Sequence, residues 1–170
     1  MNEPDNPPQR RGRKGSASKM QILSLTEGAI RAVVYLARAR PDQKVPGEEL
    51  CRTQEISAPF LIKITRSLTR HGLVSATRGA GGGFELARPA ASISLLEVIE
   101  AVQGPFLYNQ CLLGPNACHR ESECPVHPVW KQIRENTENI LSSWTLADLA
   151  WVSHERQRRQ ARISRTGEET

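Results

Sequence analysis

Between two short apolar runs, Leu73–Thr77 and Phe84–Ala87, lies the segment RGAGGG at residues 78–83. Its glycines reach positive φ without a Cβ penalty, so the segment reads as the tip of a tight β-hairpin. A phosphate-cradling loop is the competing reading of such a run. It requires a strand–loop–helix unit with the pattern G-x-x-x-x-G-K-[ST], which the chain lacks. What precedes the hairpin narrows the fold further. Ile30, Val33, Val34 and Ala37 recur at helical spacing and predict a helix from Leu25 to Arg40, stopped by Pro41. Pro46-Gly47 opens a short helix through Leu50 to Gln54.

Ser57 is the expected cap of a third helix, with Pro59 tolerated in its first turn and Gly72 closing it. Leu61, Ile64 and Leu68 form the stripe expected to be buried. The opposite face carries Pro59, Ile62, Lys63, Arg66 and Arg70. Three helices followed by a glycine-tipped hairpin make a winged helix-turn-helix pattern, mainly α with a small β-hairpin wing. In that pattern the third helix is sized for a DNA major groove. Lys63 and Arg66 suit phosphates or guanine edges, Ile62 suits a thymine methyl, and Arg78 stands at the base of the wing tip. The plainer reading is a solvated helix face beside an ordinary hairpin.

Further on, Ser94-x-x-Glu97 is a capping box for a helix through Val102, ended by Gly104-Pro105. A long helix begins near Pro128 with Trp130, Ile133, Ile140, Leu141 and Trp144 on one face. That face is too apolar to be left exposed on a small domain, so it packs internally or pairs with a second copy as a dimerisation helix. Thr145-x-x-Asp148 opens a short last helix to Trp151 or Val152.

Charge divides the chain. The net charge is +5, yet residues 20–90 carry ten Lys/Arg against six Asp/Glu, whereas residues 91–154 carry three against seven. Only the first half is suited to a polyanion. Residues 1–18 read as a disordered basic arm and residues 153–170 as a frayed basic tail. Residues 19–90 are then the winged helix-turn-helix domain, and residues 91–152 hold a cysteine-bearing loop and the dimerisation helices. No stretch approaches the roughly 20 apolar residues of a membrane span. No signal-peptide pattern opens the chain, so a cytoplasmic location with no membrane partner is expected.

Three of the four cysteines fall within seventeen residues, CLLGPNACHRESECPVH, which end in a histidine: Cys111, Cys118, Cys124 and His127. Thiolate and imidazole are ligands for zinc, copper(I) or iron–sulfur clusters. The gaps of six and five residues are wider than the close Cys-x2-4-Cys pairs of structural zinc sites, which favours a cluster wrapped by one loop. A disulfide with a spare thiol, or buried apolar cysteines, would not require the bunching. Cys51 lies apart and reads as a small core hydrophobe. No nucleophile–base pair or G-x-S-x-G motif points to an enzyme.

Residues 20–152 resemble the iron–sulfur winged-helix regulators of the IscR, NsrR and RirA type. The resemblance rests on LTEGAIRAVVYLA, on ISAPFLIKITRSLTRHGLVSATRGAGGGFELARPAASISLLEVIEAVQG, and on the three-cysteine loop followed by WKQI and TLADLA. It implies a homodimeric transcription factor, usually a repressor, bound to a double-stranded DNA operator. Its [2Fe-2S] or [4Fe-4S] cluster would report iron–sulfur status, iron, redox state or nitric oxide. Cys111, Cys118 and Cys124 match the family's three cluster thiolates. His127 stands where IscR-like members place a fourth ligand, and Glu27 where NsrR-like members place an acidic one donated across the dimer. His127 is favoured because it shares the loop. Pro59 and Ile62 replace the polar and acidic residues of IscR-like members, so no operator sequence carries over. The alternative within the same fold is a regulator whose cysteines act as a thiol redox or zinc switch, without a cluster.

Overall fold

The computed structural model describes residues 24–40, 43–105, 118, 120 and 122–166. The expected basic arm and Cys111 lie outside the described residues. Helix α1 spans Ser24–Arg38, α2 Gly47–Gln54 and α3 Ala58–Arg70. The strands β1 (Val74–Thr77) and β2 (Gly83–Leu86) follow, then α4 (Leu95–Gln103), α5 (His127–Ser143) and α6 (Leu146–Thr166). α1 ends two residues before the expected Arg40, because a residue that precedes proline is driven out of the helical region.

α1 buries Ala29, Ala32, Val33 and Leu36, so its inward face is set one position from the larger Ile30 and Val34, which are half-buried. Gly28 lets α3 come close: a Cβ there would stand 3.2 Å from Ile64 Cδ1. The core joins these residues to Leu50, Leu61, Ile64, Leu68, Leu73, Ile93, Val98 and Leu146. Cys51 packs against this core but is only half-buried.

β1 and β2 pair antiparallel, with Val74 opposite Leu86 and Thr77 opposite Gly83. Val45 adds a one-residue third strand. It exchanges two 2.8 Å backbone hydrogen bonds with Phe84. Gly83 is required there, since a Cβ would lie 2.6 Å from Val45 O.

The capping box of α4 forms as expected: Glu97 N–H donates to Ser94 Oγ at 3.2 Å and Ser94 N–H to Glu97 Oε2 at 2.8 Å. A second one opens α6, where Asp148 N–H donates to Thr145 Oγ1 and Thr145 N–H to Asp148 Oδ2. Residues 93–95 and 144–146 bond to each other: Leu95 N–H donates to Trp144 O at 2.8 Å and Leu146 N–H to Ile93 O at 2.9 Å. These bonds staple the start of α4 to the start of α6.

Two expectations need correction. The last helix does not stop at Trp151 or Val152; it runs on to Thr166. Lost apolar periodicity reports exposure, whereas Arg, Gln and Ala are strong helix formers. Arg38 also holds the extension, donating to Gln157 Oε1 at 2.5 Å and to Ser153 Oγ at 3.4 Å. On α5 the exposed apolar stripe comprises Val126 just before the helix, Val129, Ile133, Ile140 and Trp144 just after it. Trp130 and Leu141 are half-buried at its edge. Among the described residues, no helix is long and apolar enough to cross a membrane.

Candidate nucleic-acid interface and cysteine loop

α3 offers one face to the core and the other to solvent. Leu61, Ile64, Thr65 and Leu68 are buried, and Thr65 satisfies its hydroxyl by donating to Leu61 O at 2.8 Å. Pro59 occupies the first turn, where its missing N–H costs no helical bond. Pro59, Ile62, Lys63, Arg66 and Arg70 are all exposed. Ile62 is 66% exposed, a large apolar side chain amid cations. Phe60 joins this face at 41% exposure, and Lys63 Nζ lies 5.9 Å from its ring centroid, within cation–π reach. The sequence reading passed over Phe60. Its three-residue spacing to Lys63 was the available signal.

Arg78 is exposed at the start of the wing tip. The tip turns through Gly79 (φ 95°) and Gly81 (φ 75°) and closes with Gly82 N–H donating to Gly79 O at 2.9 Å. Gly82 cannot carry a Cβ, which would run into the carbonyl of Thr77. α3 is held by its buried stripe and the tip by backbone geometry, with the cations of both exposed.

α4 ties that surface to α1 and precedes the cysteine segment in sequence. Ser67 on α3 donates its hydroxyl to Ala101 O at 2.5 Å. Thr26 on α1, wholly buried, donates to Gln103 Oε1 at 2.9 Å. Arg88, just after the wing, pairs with Glu97 at 2.7 Å. Burial alone would raise the Glu97 carboxyl, but hydrogen bonds from the Ser94 backbone, Arg88 and the Ser94 hydroxyl outweigh it, and its pKa lies below the ordinary glutamate value. Gln103 is the last residue of α4 and sits one residue before the glycine that leads into the cysteine segment.

Cys118 and Cys124 are free thiols, each half-buried. His127 is the first residue of α5, and its N–H donates to Cys124 O at 3.2 Å, so thiol and imidazole share one turn. Glu27 is separate, exposed in the first turn of α1 beside Thr26. Among the described residues, no three His, Cys, Asp or Glu side chains are grouped closely enough to hold a metal ion. Two thiols and an imidazole on one stretch remain a donor set of the soft and borderline kind that suits an iron–sulfur cluster.

Residues 22–151 match the family model of Rrf2, described as an iron-dependent transcriptional regulator. The chain is 32% identical over 130 residues to the HTH-type transcriptional regulator IscR of Klebsiella pneumoniae, covering 76% of this chain and 79% of that protein. The solved structure of T. potens IscR superposes with a TM-score of 0.65 at 25% identity, over 81% of this chain and 90% of that one. CymR, the global cysteine regulator of B. subtilis, shares the fold with a TM-score of 0.65 at 23% identity, over 78% of this chain and 97% of that one.

Proposed function

The chain belongs to the Rrf2 family of transcriptional regulators, and on that premise we propose that it is a homodimeric DNA-binding repressor controlled by an iron–sulfur cluster. The observation that carries the proposal is the bonding of α4, the element that precedes the cysteines in sequence, to the DNA-facing helix. α4 is hydrogen-bonded to α3 through Ser67 and to α1 through Thr26, and Cys111 follows its last residue, Gln103, by eight residues in sequence.

Cys111, Cys118 and Cys124 would hold the cluster, with His127 as the fourth ligand and Glu27 of a second copy as its rival. The cluster would supply a group whose stability in that ligand set depends on iron, oxidants or nitric oxide. The chain's own residues do the rest. Ile62, Lys63, Arg66 and Arg70, with Pro59 in the first turn, read the major groove, and Arg78 contacts the flanking minor groove or phosphates. A shift of the loop would reach α3 through Gln103, Ala101 and Ser67, changing the angle between the two recognition helices of a dimer. α5 supports the pairing: its stripe of Val129, Ile133 and Ile140 has no cover within the described residues.

The free thiols Cys118 and Cys124 favour one second reading, a thiol or zinc switch on the same fold. Purification without oxygen separates the two. A brown or red protein whose colour is lost in Cys118→Ala and Cys124→Ala carries a cluster, and a colourless protein whose DNA binding responds to disulfide reductants is a thiol switch.

A further inference from the structure

Beyond α1's hold on it, the second half of α6 has no evident role in a winged-helix reader. Residues 153–166 carry Arg156, Arg158, Arg159, Arg162 and Arg165 against the single acid Glu155. We propose that this arginine-bearing half of α6 is a second DNA-contacting surface, gripping phosphates outside the reach of α3 and the wing.

Three features carry the assignment. The segment is an ordered helix, fixed to α1 where Arg38 donates to Ser153 and Gln157. Ser153, Arg156, Gln157 and Gln160 form the side turned to α1. At 100° per residue, Arg158, Arg159 and Arg162 fall on the opposite side, one cluster facing away from the domain. Glu155 lies on the same side, in an exposed contact 3.6 Å from Arg158, so three arginines against one acid leave that side with net positive charge. Arg38 lies in the last turn of α1, and the chain from there leads to Val45, which is bonded to Phe84 of the wing. A membrane-surface helix would need a broad apolar face. Residues 153–164 hold a single large apolar side chain, Ile163. DNA, already the partner of the basic first half, is the polyanion that fits.

The test is a salt titration of binding to a mixed-sequence DNA duplex by the full chain, by R158Q/R159Q/R162Q and by the corresponding triple lysine variant. Glutamine keeps nearly the helix propensity of arginine, so α6 should persist by circular dichroism. The slope of log affinity against log salt should fall by about 0.9 for each arginine that touches a phosphate, and lysine should restore it. Should the triple glutamine variant lose helix, Arg159→Gln alone reads the same effect as a fall of about 0.9. K63A/R66A serves as the control. A slope lowered there but unchanged in the α6 variants overturns this proposal and leaves the major-groove reading standing. A slope unchanged in both sets overturns the DNA reading as well. Two other results also overturn the proposal: an unchanged slope with lost sedimentation on phosphatidylglycerol vesicles, and dissociation of the dimer by the glutamine changes.

Discussion

Ile62 stands two-thirds exposed on a helix whose leucines and other isoleucine are buried. In the proposed reading, a groove presenting thymine methyls covers it. Its neighbours divide the work by chemistry. Lys63→Ala should weaken binding to every sequence and lower the salt slope by about 1, as loss of a phosphate contact does. Arg66→Ala, if the guanidinium forks onto a guanine, should cost about 1–3 kcal/mol at one operator position, measured by binding to single-base operator variants. At the cysteines, each of Cys111→Ala, Cys118→Ala and Cys124→Ala should remove cluster absorbance and leave the far-ultraviolet circular dichroism nearly unchanged, because the core of the fold is elsewhere. Full absorbance in all three would refute the ligand assignment. His127→Ala and Glu27→Ala decide the fourth position, since ligand identity sets both the spectrum and the reduction potential. Glu97 makes a pH prediction. Its folded pKa is depressed, so its contribution to stability is present above the ordinary glutamate pKa and fades as pH falls through the folded value. Urea unfolding of the wild type and Glu97→Gln should differ at neutral pH and converge in acid.

Elements were legible where a pattern repeats and illegible where a single contact decides. The helix periodicity of α1 and α3, the glycine tip and the capping box before α4 were all readable, and each stands within two residues of its expected place. The Val45–Phe84 pairing and the staple between residues 93–95 and 144–146 were not. Each involves one to three residues, too few for any period. The extension of α6 was missed for a different reason: its residues favour helix without favouring burial, and an apolar pattern reports only the latter. Within the candidate site, the cations of α3 were readable as a face. Thr26 and Ser67, which tie α1 and α3 to α4, are common polar residues with no distinguishing neighbours. The wing yields the clearest prediction at this scale. Gly83→Ala would press a methyl against the Val45 carbonyl and break the third-strand pairing. It should destabilise the fold by about 1–3 kcal/mol in denaturant unfolding. An unchanged midpoint would mean that the wing relaxes freely.

On the scale of the whole molecule, the account depends on two copies. The stripe from Val129 through Ile133 to Ile140 lies exposed along α5, outside the core, and in the proposed dimer a second copy of the same helix covers it. Ile140→Asp should therefore yield monomers in sedimentation equilibrium, with a large loss of operator affinity because half-sites are no longer bound together. In the proposed dimer, the α4 bonds would carry a change in the cysteine segment to both recognition helices, and any signal must act by favouring one arrangement over another. A ligand can shift such an equilibrium only by its differential affinity for the two arrangements, and coupling of this kind amounts to about 1–3 kcal/mol. The most direct measurement is the affinity of cluster-loaded and cluster-free dimers, at one fixed salt concentration, for genomic fragments recovered with the protein. A difference of about fivefold or more on at least one fragment is the predicted result; equal affinity of the two forms for every fragment would contradict control by a cluster.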